Sequence, residues 1–327
     1  MSRKGPAKVS HESVPTHPAT RAWTSEFGSG AEILGITTLT NKHKSSVFRL
    51  ELRGWIRDSA VAKVCTEGYG AITCGEERMY REVLPSAGLP SVEVYGHLVD
   101  PSARSFWLFL EDLGDQVFES SCLDDCRLLA EWLAALHQWV GFTHSSSEWS
   151  DRGPDHYLQH LYSARTLISN SLSQTWVSER SRTALLRLRG FLDRLEEDWG
   201  RLDAVCRLAP RTIVHGDLVD KNVRFRTRGG ARELVVLDWE MMGLGIPSVD
   251  LKLLGDDLEG YAARMQALRP SMSPALVKAL ANIGQIFRSL VVLDWKACDL
   301  PYEWCSLESF ESFESRLEAD LRRAHTL

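Results

Sequence analysis

Two short segments of the chain combine strand-like runs with charged side chains: residues 214–223 read Val-His-Gly-Asp-Leu-Val-Asp-Lys-Asn-Val, and residues 234–240 read Leu-Val-Val-Leu-Asp-Trp-Glu. The Gly-Gly pair between them permits the positive φ angles of a tight hairpin turn. Asn222 and Asp238 are equidistant in sequence from Gly230, so antiparallel pairing through that turn predicts both side chains at the same open end. The sequence therefore predicts a β-hairpin whose open end carries a carboxylate and an amide.

A second carboxylate, Asp217, lies upstream of Asn222 on the loop that leads into the first strand of this hairpin. Carboxylate and amide oxygens can hold Mg²⁺, which also bridges the phosphate oxygens of a nucleotide. The remaining carboxylate can orient an alcohol and accept its proton as a phosphoryl group arrives. The two carboxylates and the amide thus favour phosphoryl transfer, and the alternative is a polar hairpin with a capped loop.

A family resemblance rests on these motifs. The pattern His-Gly-Asp-x-x-x-x-Asn at residues 215–222, with Leu-Asp-Trp at residues 237–239, resembles the aminoglycoside phosphotransferase and choline kinase-like family, a branch of the protein-kinase fold. The resemblance implies that Asp217 is the catalytic base, that Asn222 is a metal ligand, and that Asp238 is the main metal ligand. It also implies ATP or GTP together with Mg²⁺ as cofactors.

Three further positions around the catalytic loop take roles from the same resemblance. Asp250 matches a family aspartate that supports the loop without reacting, and His215 is expected to brace the loop as well. Lys221 stands where relatives commonly carry glycine. It either neutralises charge that develops on the phosphate or is a plain surface lysine. We group His215 and Lys221 with Asp217 as catalytic residues.

The main nucleotide-binding residues are predicted in the first third of the chain. Lys63 lies inside an otherwise apolar strand, where an ammonium is costly to bury without a partner. The resemblance makes it the lysine that contacts the α- and β-phosphates, and makes Glu76 its ion-pair partner, with Glu77 as the alternative register. The competing interpretations are an edge-strand lysine that extends to solvent and glutamates that favour a helix dipole.

Two weaker nucleotide contacts are also predicted. Backbone amides near Ser45 and Ser46 are expected to bind phosphate, although this loop lacks the glycines of protein kinases. The two lysines of the same loop either contribute or are solvated charges. Glu111 and Leu113 resemble the family hinge, whose backbone pairs with the nucleotide base.

The acceptor site is expected between the catalytic loop and the helical part of the chain. Residues 111–198 carry more acidic than basic side chains, which would attract cationic acceptors such as amino sugars or quaternary amines. Solvated helix faces are the alternative. A second candidate wall of the acceptor site is the aromatic stretch at residues 293–304. The alternative is that its tryptophans are core residues. The predicted acceptor residues are Glu240, Trp295, Asp299, Tyr302 and Trp304.

Length and composition exclude several classes of protein. The 327 residues are 44% hydrophobic and 25% charged, as in a globular protein with one large domain or two lobes. A formal net charge of −6 argues against a nucleic-acid partner, and no apolar stretch approaches the roughly 20 residues that span a bilayer. The polar N-terminus lacks a signal core and the seven cysteines are scattered, so we expect a cytoplasmic protein.

The pattern of predicted elements divides the chain into three parts. Residues 1–22 are predicted as a mobile tail, 23–112 as a nucleotide-binding N-lobe, and 113–327 as a helical C-lobe with the catalytic loop and the acceptor site. This organisation predicts an α+β, two-lobed protein-kinase-like fold with a small β-rich N-lobe and a larger, mainly helical C-lobe. The expected elements are strands at 47–52, 60–65 and 106–110, and helices at 74–86, 128–136, 155–169, 180–199, 249–268, 274–297 and 306–325.

The resemblance implies a cytoplasmic kinase that uses ATP or GTP to phosphorylate a hydroxyl of a small molecule. Small antibiotics are the first expectation, followed by amino alcohols or sugars from metabolism, and the protein is expected as a monomer or homodimer. A kinase that acts on protein side chains is disfavoured, because the sequence shows no counterpart of a peptide-binding activation segment. The alternative from another class is a catalytically silent, nucleotide-binding regulatory module.

Overall fold

The structure, a computed structural model, describes residues 7–10, 13–42, 45–66, 70–141, 149–255, 258–302, 310 and 319. The chain divides into two compact units. Met1–Phe118 and Lys221–Glu240 form the first, which we call the strand unit, and Glu119–Asp220 and Met241–Leu327 form the second, the helical unit. The first is rich in strands and the second in helices, so the predicted α+β class is confirmed.

The regular elements follow in chain order. The strands are β1 (Ala7–Lys8), β2 (Glu32–Asn41), β3 (Ser45–Arg53), β4 (Ser59–Thr66), β5 (Val94–Asp100), β6 (Ser105–Glu111), β7 (Asp151–Arg152), β8 (Thr212–Val214), β9 (Val223–Arg228), β10 (Ala231–Val236) and β11 (Gly243–Gly245). The α-helices are α1 (Pro18–Phe27), α2 (Gly70–Arg78), α3 (Leu84–Ser86), α4 (Leu123–Gln138), α5 (Pro154–Ser171), α6 (Glu179–Glu197), α7 (Trp199–Cys206), α8 (Leu258–Leu268) and α9 (Pro274–Ala297). A π-helical turn at Met79–Val83 joins α2 to α3, and 3₁₀ turns lie at Asp220–Asn222, Trp239–Met241 and Pro247–Leu254.

The strand unit is built on an antiparallel sheet in the order β1-β2-β3-β4-β6-β5. One face of the sheet buries Leu50, Ala62 and Phe109 completely. Helix α1 covers this face with Trp23, whose ring meets Phe109 edge-on at 5.4 Å between centroids. Because side chains alternate along a strand, Lys63, the next residue after Ala62 on β4, belongs to the opposite face.

The prediction that residues 1–22 form a mobile tail is wrong for those of them that the structure describes. Strand β1 pairs with β2, and helix α1 begins at Pro18 and buries Ala19, Ala22 and Trp23 against the sheet. His17 caps this helix, because its Nδ1 accepts the Ala19 N–H at 3.1 Å. The three- and four-residue apolar spacing gives α1 a buried face, which the composition of the segment did not reveal.

The predicted hairpin is present as β9 and β10, with a register one residue away from the expected one. Val223 pairs with Val236, and the turn consists of two glycines with φ of 58° and 82°. The hairpin is therefore centred between these glycines. Asn222 lies opposite Leu237, whose N–H donates to the Asn222 carbonyl at 2.8 Å, and the predicted pairing with Asp238 is wrong by one residue.

This hairpin groups with the strand unit, whereas the sequence analysis assigned it to the helical lobe. Backbone bonds explain the grouping: the Phe118 N–H donates to the Val223 carbonyl at 3.3 Å, and the Phe225 N–H donates to the Gln116 carbonyl at 3.0 Å. The chain segment that follows β6 thus extends the pairing of β9. As a result, Asn222 and Asp238 belong to the same unit as Lys63.

Helix α9 forms the centre of the helical unit. It packs on α5, where the rings of Tyr157 and Phe287 stack at 4.3 Å between centroids, and on the 3₁₀ turn that contains Ser248. Gly284 allows this second contact, because a Cβ at that position would lie 1.9 Å from the Ser248 carbonyl oxygen. The closest approach in this unit therefore requires a residue without a side chain.

Helix α9 also corrects the expectation that no apolar segment is long enough to span a bilayer. Within the described residues it alone satisfies the length and composition of a membrane span. Most of it is buried inside the protein, and core helices of soluble proteins pass the same test. The predicted helix at 274–297 coincides with α9.

Two predicted helices are interrupted. The helix expected at 249–268 is a 3₁₀ turn, Pro247–Leu254, followed by α8, and Gly255 between them has a positive φ of 55°. The helix expected at 180–199 is α6 followed directly by α7. The helix expected at 306–325 lies outside the described residues apart from positions 310 and 319.

Candidate active site

Lys63 is the centre of a buried ionic network in the strand unit. It is 7% exposed, and its ammonium donates to Glu76 Oε2 at 2.6 Å and to Asp238 Oδ1 at 2.7 Å. Burial alone would lower the pKa of Lys63, but the two carboxylates outweigh it and raise the pKa. The lysine is therefore held as a cation between two carboxylates, one of them the predicted metal ligand.

The neighbouring glutamate makes different contacts. Glu77 bonds Arg81 Nε at 2.7 Å and lies 3.0 Å from His97 Nδ1, while Glu76 is 1% exposed and reaches Lys63. One residue along a helix turns a side chain by about 100°, which explains why only one of the two glutamates faces β4. Of the two registers considered from the sequence, the structure shows the Glu76–Lys63 pair.

Tyr80 links the Glu76 carboxylate to the backbone of Asp238, and sequence analysis gave it no role. Its hydroxyl donates to Glu76 Oε1 at 2.9 Å and accepts the backbone N–H of Asp238 at 3.1 Å. Burial, reinforced by the charge of Glu76, raises the pKa of Tyr80 well above its ordinary value, so the phenol stays protonated and able to donate. The four-residue spacing from Glu76 on one helix face is the signal that could have identified it.

Asp238 occupies a strained position directly after the hairpin. Its φ of 67° lies in the left-handed region that residues with a side chain rarely adopt. Such a conformation costs on the order of 1–3 kcal/mol and persists where surrounding bonds hold it. Here the bonds to Tyr80 and Lys63 hold both the backbone and the carboxylate, so the turn sets where this carboxylate lies.

The donor atoms of Asn222 and Asp238 fit Mg²⁺. Asn222 is 3% exposed, and together the two residues offer an amide oxygen and a carboxylate within one unit. Mg²⁺ commonly takes one or two protein carboxylates and completes its shell with water and substrate phosphates. Within the described residues, no group of three or more His, Cys, Asp or Glu that could hold a metal ion is found.

The catalytic loop lies in the helical unit and is held by Asp250. This fully buried carboxylate accepts the N–H of His215 at 2.7 Å and the N–H of Gly216 at 3.0 Å, and His215 Nδ1 accepts the Asp217 N–H at 3.2 Å. Gly216 has a φ of 80°, and a Cβ there would lie 2.5 Å from the Met241 carbonyl oxygen. The His-Gly-Asp motif is thus a fixed backbone turn that presents Asp217.

Two further residues hold Asp250, and sequence reasoning missed both. His137 Nε2 lies 3.3 Å from Asp250 Oδ2, and His137 Nδ1 lies 2.9 Å from the Tyr261 hydroxyl. Burial, reinforced by the Asp250 charge, raises the pKa of Tyr261 well above its ordinary value, so it remains a phenol. His137 is fully buried on the apolar face of α4, and a polar residue in that position was the available signal.

Comparison with known proteins shows the family to which this chain belongs. The family model described as "Phosphotransferase enzyme family" matches residues 36–286, which include all of the residues described above. The chain belongs to this phosphotransferase family. The resemblance stated from the motifs is therefore confirmed, and so is the expected enzyme class, a phosphotransferase with an alcohol group as acceptor. No curated protein matches the chain significantly in sequence.

Solved structures of other phosphotransferases share the fold. APH(2″)-IIia, in its complex with GDP and kanamycin, is 14% identical, with a TM-score of 0.60 and coverage of 93% of this chain and 98% of that chain. Ethanolamine kinase of Plasmodium vivax is 12% identical, with a TM-score of 0.56 and coverage of 89% and 81%. The spectinomycin phosphotransferase APH(9)-Ia, in complex with ADP and spectinomycin, is 12% identical, with a TM-score of 0.54 and coverage of 93% and 95%. At these identities the likeness establishes the fold alone.

The two serines predicted to bind phosphate in this phosphotransferase lie at the start of β3. Ser45 and Ser46 begin β3, and Ser46 lies in register with Asn41 on one side and Val64 on the other. Its hydroxyl donates to Asn41 Oδ1 at 3.0 Å. Both serines are thus part of the sheet, and phosphate binding by their amides stays a prediction.

The predicted hinge lies at the end of β6. Glu111 Oε2 accepts Arg226 Nη1 at 2.5 Å and the Glu93 N–H at 3.2 Å, so this side chain ties the hinge to β9 and β5. Leu113 follows, half-buried and beyond the end of the strand. Base pairing by this backbone stays a prediction.

The remaining predicted residues are spread over both units. Lys221 is exposed in the turn before Asn222, and Glu240 is half-buried, with its pKa raised by burial and by the charge of Asp238. Trp295 is 43% exposed at the end of α9, and the structure places Asp299 and Tyr302 on exposed positions after it. Trp304 lies outside the described residues.

Asp217 itself has a partner that the motif does not contain. Its Oδ1 accepts a hydrogen bond from Arg288 Nη2, and this arginine lies on α9. The side chains of the two residues are 8% and 12% exposed. The predicted catalytic base of this phosphotransferase is therefore a member of a buried ion pair.

Proposed function

We propose that this phosphotransferase transfers the γ-phosphoryl group of ATP or GTP to a hydroxyl of a small molecule. The observation that carries the proposal is the bonding of one buried lysine to two carboxylates, since Lys63 holds both Glu76 and the predicted metal ligand Asp238. In protein kinases, phosphoryl transfer requires both a lysine–glutamate ion pair and a Mg²⁺-binding aspartate to be in place. Lys63, Glu76 and Asp238 form the same combination in this chain.

In the strand unit, Lys63 would bind the α- and β-phosphates, and Glu76 would hold the lysine in place. Asn222 and Asp238 would hold Mg²⁺, which when bound neutralises charge on the β- and γ-phosphates. Tyr80 keeps the backbone of Asp238 and the carboxylate of Glu76 in their relative positions. We assign nucleotide binding, together with the hinge at Glu111, to this unit.

In the helical unit, Asp217 would accept the proton of the acceptor hydroxyl. The hydroxyl oxygen forms a bond to the γ-phosphorus, the bond from that phosphorus to the β–γ bridging oxygen breaks, and the nucleoside diphosphate leaves. The transition state is loose, so the orientation of Asp217 matters more than its basicity. The bonds of Asp250 to the His215 and Gly216 backbone fix the loop that carries Asp217.

The proposed acceptors are small antibiotics first, and amino alcohols or sugars second. The acidic excess of residues 111–198 favours a cationic acceptor. Two proteins of similar fold were solved with kanamycin and with spectinomycin, and a third is an ethanolamine kinase. We propose Glu240, Trp295, Asp299 and Tyr302 as acceptor contacts, and action in the cytoplasm as a monomer or homodimer.

The test is Mg²⁺-dependent release of nucleoside diphosphate by the wild type and by Asp217→Asn. ATP and GTP are each tried with aminoglycosides, spectinomycin, choline, ethanolamine, sugars and water as acceptors. Turnover that Asp217→Asn reduces by at least a hundredfold, while the control Asp220→Asn leaves it within twofold, supports the proposal. Tight nucleotide binding without turnover on any acceptor would instead favour a regulatory module. Absence of nucleotide binding would overturn the assignment of Lys63 and Asp238.

A further inference from the structure

The catalytic carboxylate has a cationic partner outside the family motif. Arg288 lies on α9, 71 residues after Asp217 in sequence, and donates through Nη2 to Asp217 Oδ1. An arginine bound to a general base is an unusual use of a buried guanidinium, because the base must also receive the acceptor hydroxyl. The pair thus requires an explanation beyond simple charge balance.

The position of Arg288 is itself well defined. Its guanidinium carbon lies 5.2 Å from the centroid of the Trp295 ring, two turns further along α9, and its Nη1 is buried without a hydrogen-bond partner among the described residues. The ring face and the carboxylate fix the plane of the guanidinium from two sides. A buried N–H usually has an acceptor, such as an ordered water or an atom of a bound molecule, so Nη1 is available for one.

A bond to one carboxylate oxygen fixes the direction of the other. With Oδ1 of Asp217 held by the planar, permanently charged guanidinium, rotation of the carboxylate about its terminal bond is restricted. The backbone of the loop is already fixed by Asp250, but nothing in those bonds restrains the Asp217 side-chain torsions. Arg288 restrains the side chain itself, through its bond to Oδ1.

We propose that Arg288 is the positioning residue of the catalytic base: through Nη2 it orients the Asp217 carboxylate toward the attacking hydroxyl, and its Nη1 is left to bind an oxygen atom of the acceptor. This inference rests on the proposed phosphoryl transfer. The acceptor class it favours has a second oxygen near the reacting hydroxyl, as in polyols and sugars.

The experiment compares Arg288→Gln, Arg288→Lys, Asp217→Asn and the double variant Asp217→Asn/Arg288→Gln in the full chain. Arg165→Gln is the matched control, because Arg165 also lies on a helix of this unit, bonds carboxylates and sits 5.3 Å from a tyrosine ring centroid. Nucleoside diphosphate release is measured with MgATP and MgGTP, with water, glycerol and the best acceptor of the panel. Thermal unfolding and binding of a fluorescent nucleotide report on folding and on the strand unit.

We expect Arg288→Gln to lower kcat at least tenfold with unchanged nucleotide affinity, Arg288→Lys to recover part of the loss, and Arg165→Gln to stay within twofold of the wild type. In the Asp217→Asn background, Arg288→Gln should lower kcat no further, because its effect on kcat acts through that carboxylate, whereas the loss of the Nη1 contact to the acceptor should raise the KM for the acceptor in both backgrounds. The inference would be overturned if the two substitutions multiplied their effects on kcat in the double variant. It would also be overturned if Arg288→Gln left kcat unchanged. If Arg288→Gln fails to fold, the kcat of Arg288→Lys is compared with the wild type instead. This variant keeps the charge but loses the planar guanidinium. If the wild type were inactive with every acceptor, water included, the proposed function would be contradicted, and the inference with it.

Discussion

Single residues in this protein act through the groups that hold them. Asp238 and Asp217 are the predicted metal ligand and catalytic base of the motifs, and the structure holds them through Tyr80 in one case and Arg288 in the other. Motif spacing identified the two aspartates because they are close in sequence to fixed neighbours. Their partners lie 158 and 71 residues away, a separation that no local pattern encodes.

A histidine on α5 gives a prediction at the same scale. Burial, together with the charges of Arg152 and His160, lowers the pKa of His156 from 6.5 to about 4, so it is neutral in the folded protein near pH 7. Between pH 6.5 and pH 4 the unfolded chain takes up a proton at this site that the folded protein does not. Stability should therefore fall as the pH drops through this window.

The check is urea unfolding of the wild type and of His156→Gln at pH 7.0 and pH 5.0. Carboxylates titrate in both proteins, so the difference between them isolates the histidine. We expect the wild type to lose more stability on acidification than the variant. Equal losses in the two proteins would contradict the assignment.

At the scale of elements, the sequence predicted which segments are strands or helices better than how they meet. The strand around Leu50 follows from period-two alternation, the strand around Phe109 from a short apolar run, and α9 from its apolar periodicity. The hairpin register was missed by one residue because two adjacent glycines allow either centre. Helix α1 was missed because its buried face becomes apparent only against the sheet it covers.

The closest contact of α9 gives a prediction about packing. A methyl group added at Gly284 would meet the Ser248 carbonyl at 1.9 Å, so Gly284→Ala must push α9 away from its 3₁₀ neighbour. We expect a loss of about 1–3 kcal/mol in the free energy of unfolding, as for other overpacked cores. Chemical denaturation measures the change.

The matched control is Gly190→Ala on α6, where the nearest atom to a new Cβ is Arg194 Nη1 at 3.7 Å. Alanine is the better helix former, so this variant should gain about 0.5–1 kcal/mol. We therefore expect the free energy of unfolding to fall in Gly284→Ala and to rise in Gly190→Ala. A neutral or stabilising Gly284→Ala would show that the helix can move without cost.

At the scale of the whole molecule, the chain leaves and re-enters the strand unit. Residues 221–240 return to it after about a hundred residues of the helical unit, and they bring Asn222 and Asp238 to the unit that holds Lys63. The family match over residues 36–286 spans both units, in agreement with an activity that draws on each. Composition gave the α+β class, but not this order of segments.

Nucleotide binding should be visible in the stability of the whole chain. A ligand at 100 times its dissociation constant adds about 2.7 kcal/mol to the native state. MgATP or MgGTP should therefore raise the Tm of the wild type by several degrees, and Asp238→Asn should abolish most of that shift because it removes the predicted metal ligand. Asp299→Asn, an exposed position in the helical unit, is the control and should keep the full shift. The same shift in all three proteins would exclude Asp238 from the nucleotide site.

The contact between Lys63 and Asp238 joins residues 175 positions apart, and this separation has a consequence for synthesis on the ribosome. Lys63 and Glu76 emerge early and can pair while most of the helical unit has not yet been translated. The third member of the network emerges 175 residues after Lys63. A nascent chain released before that point would carry a sheet and a lysine–glutamate pair without the aspartate, and so a phosphate site that no later folding step could finish.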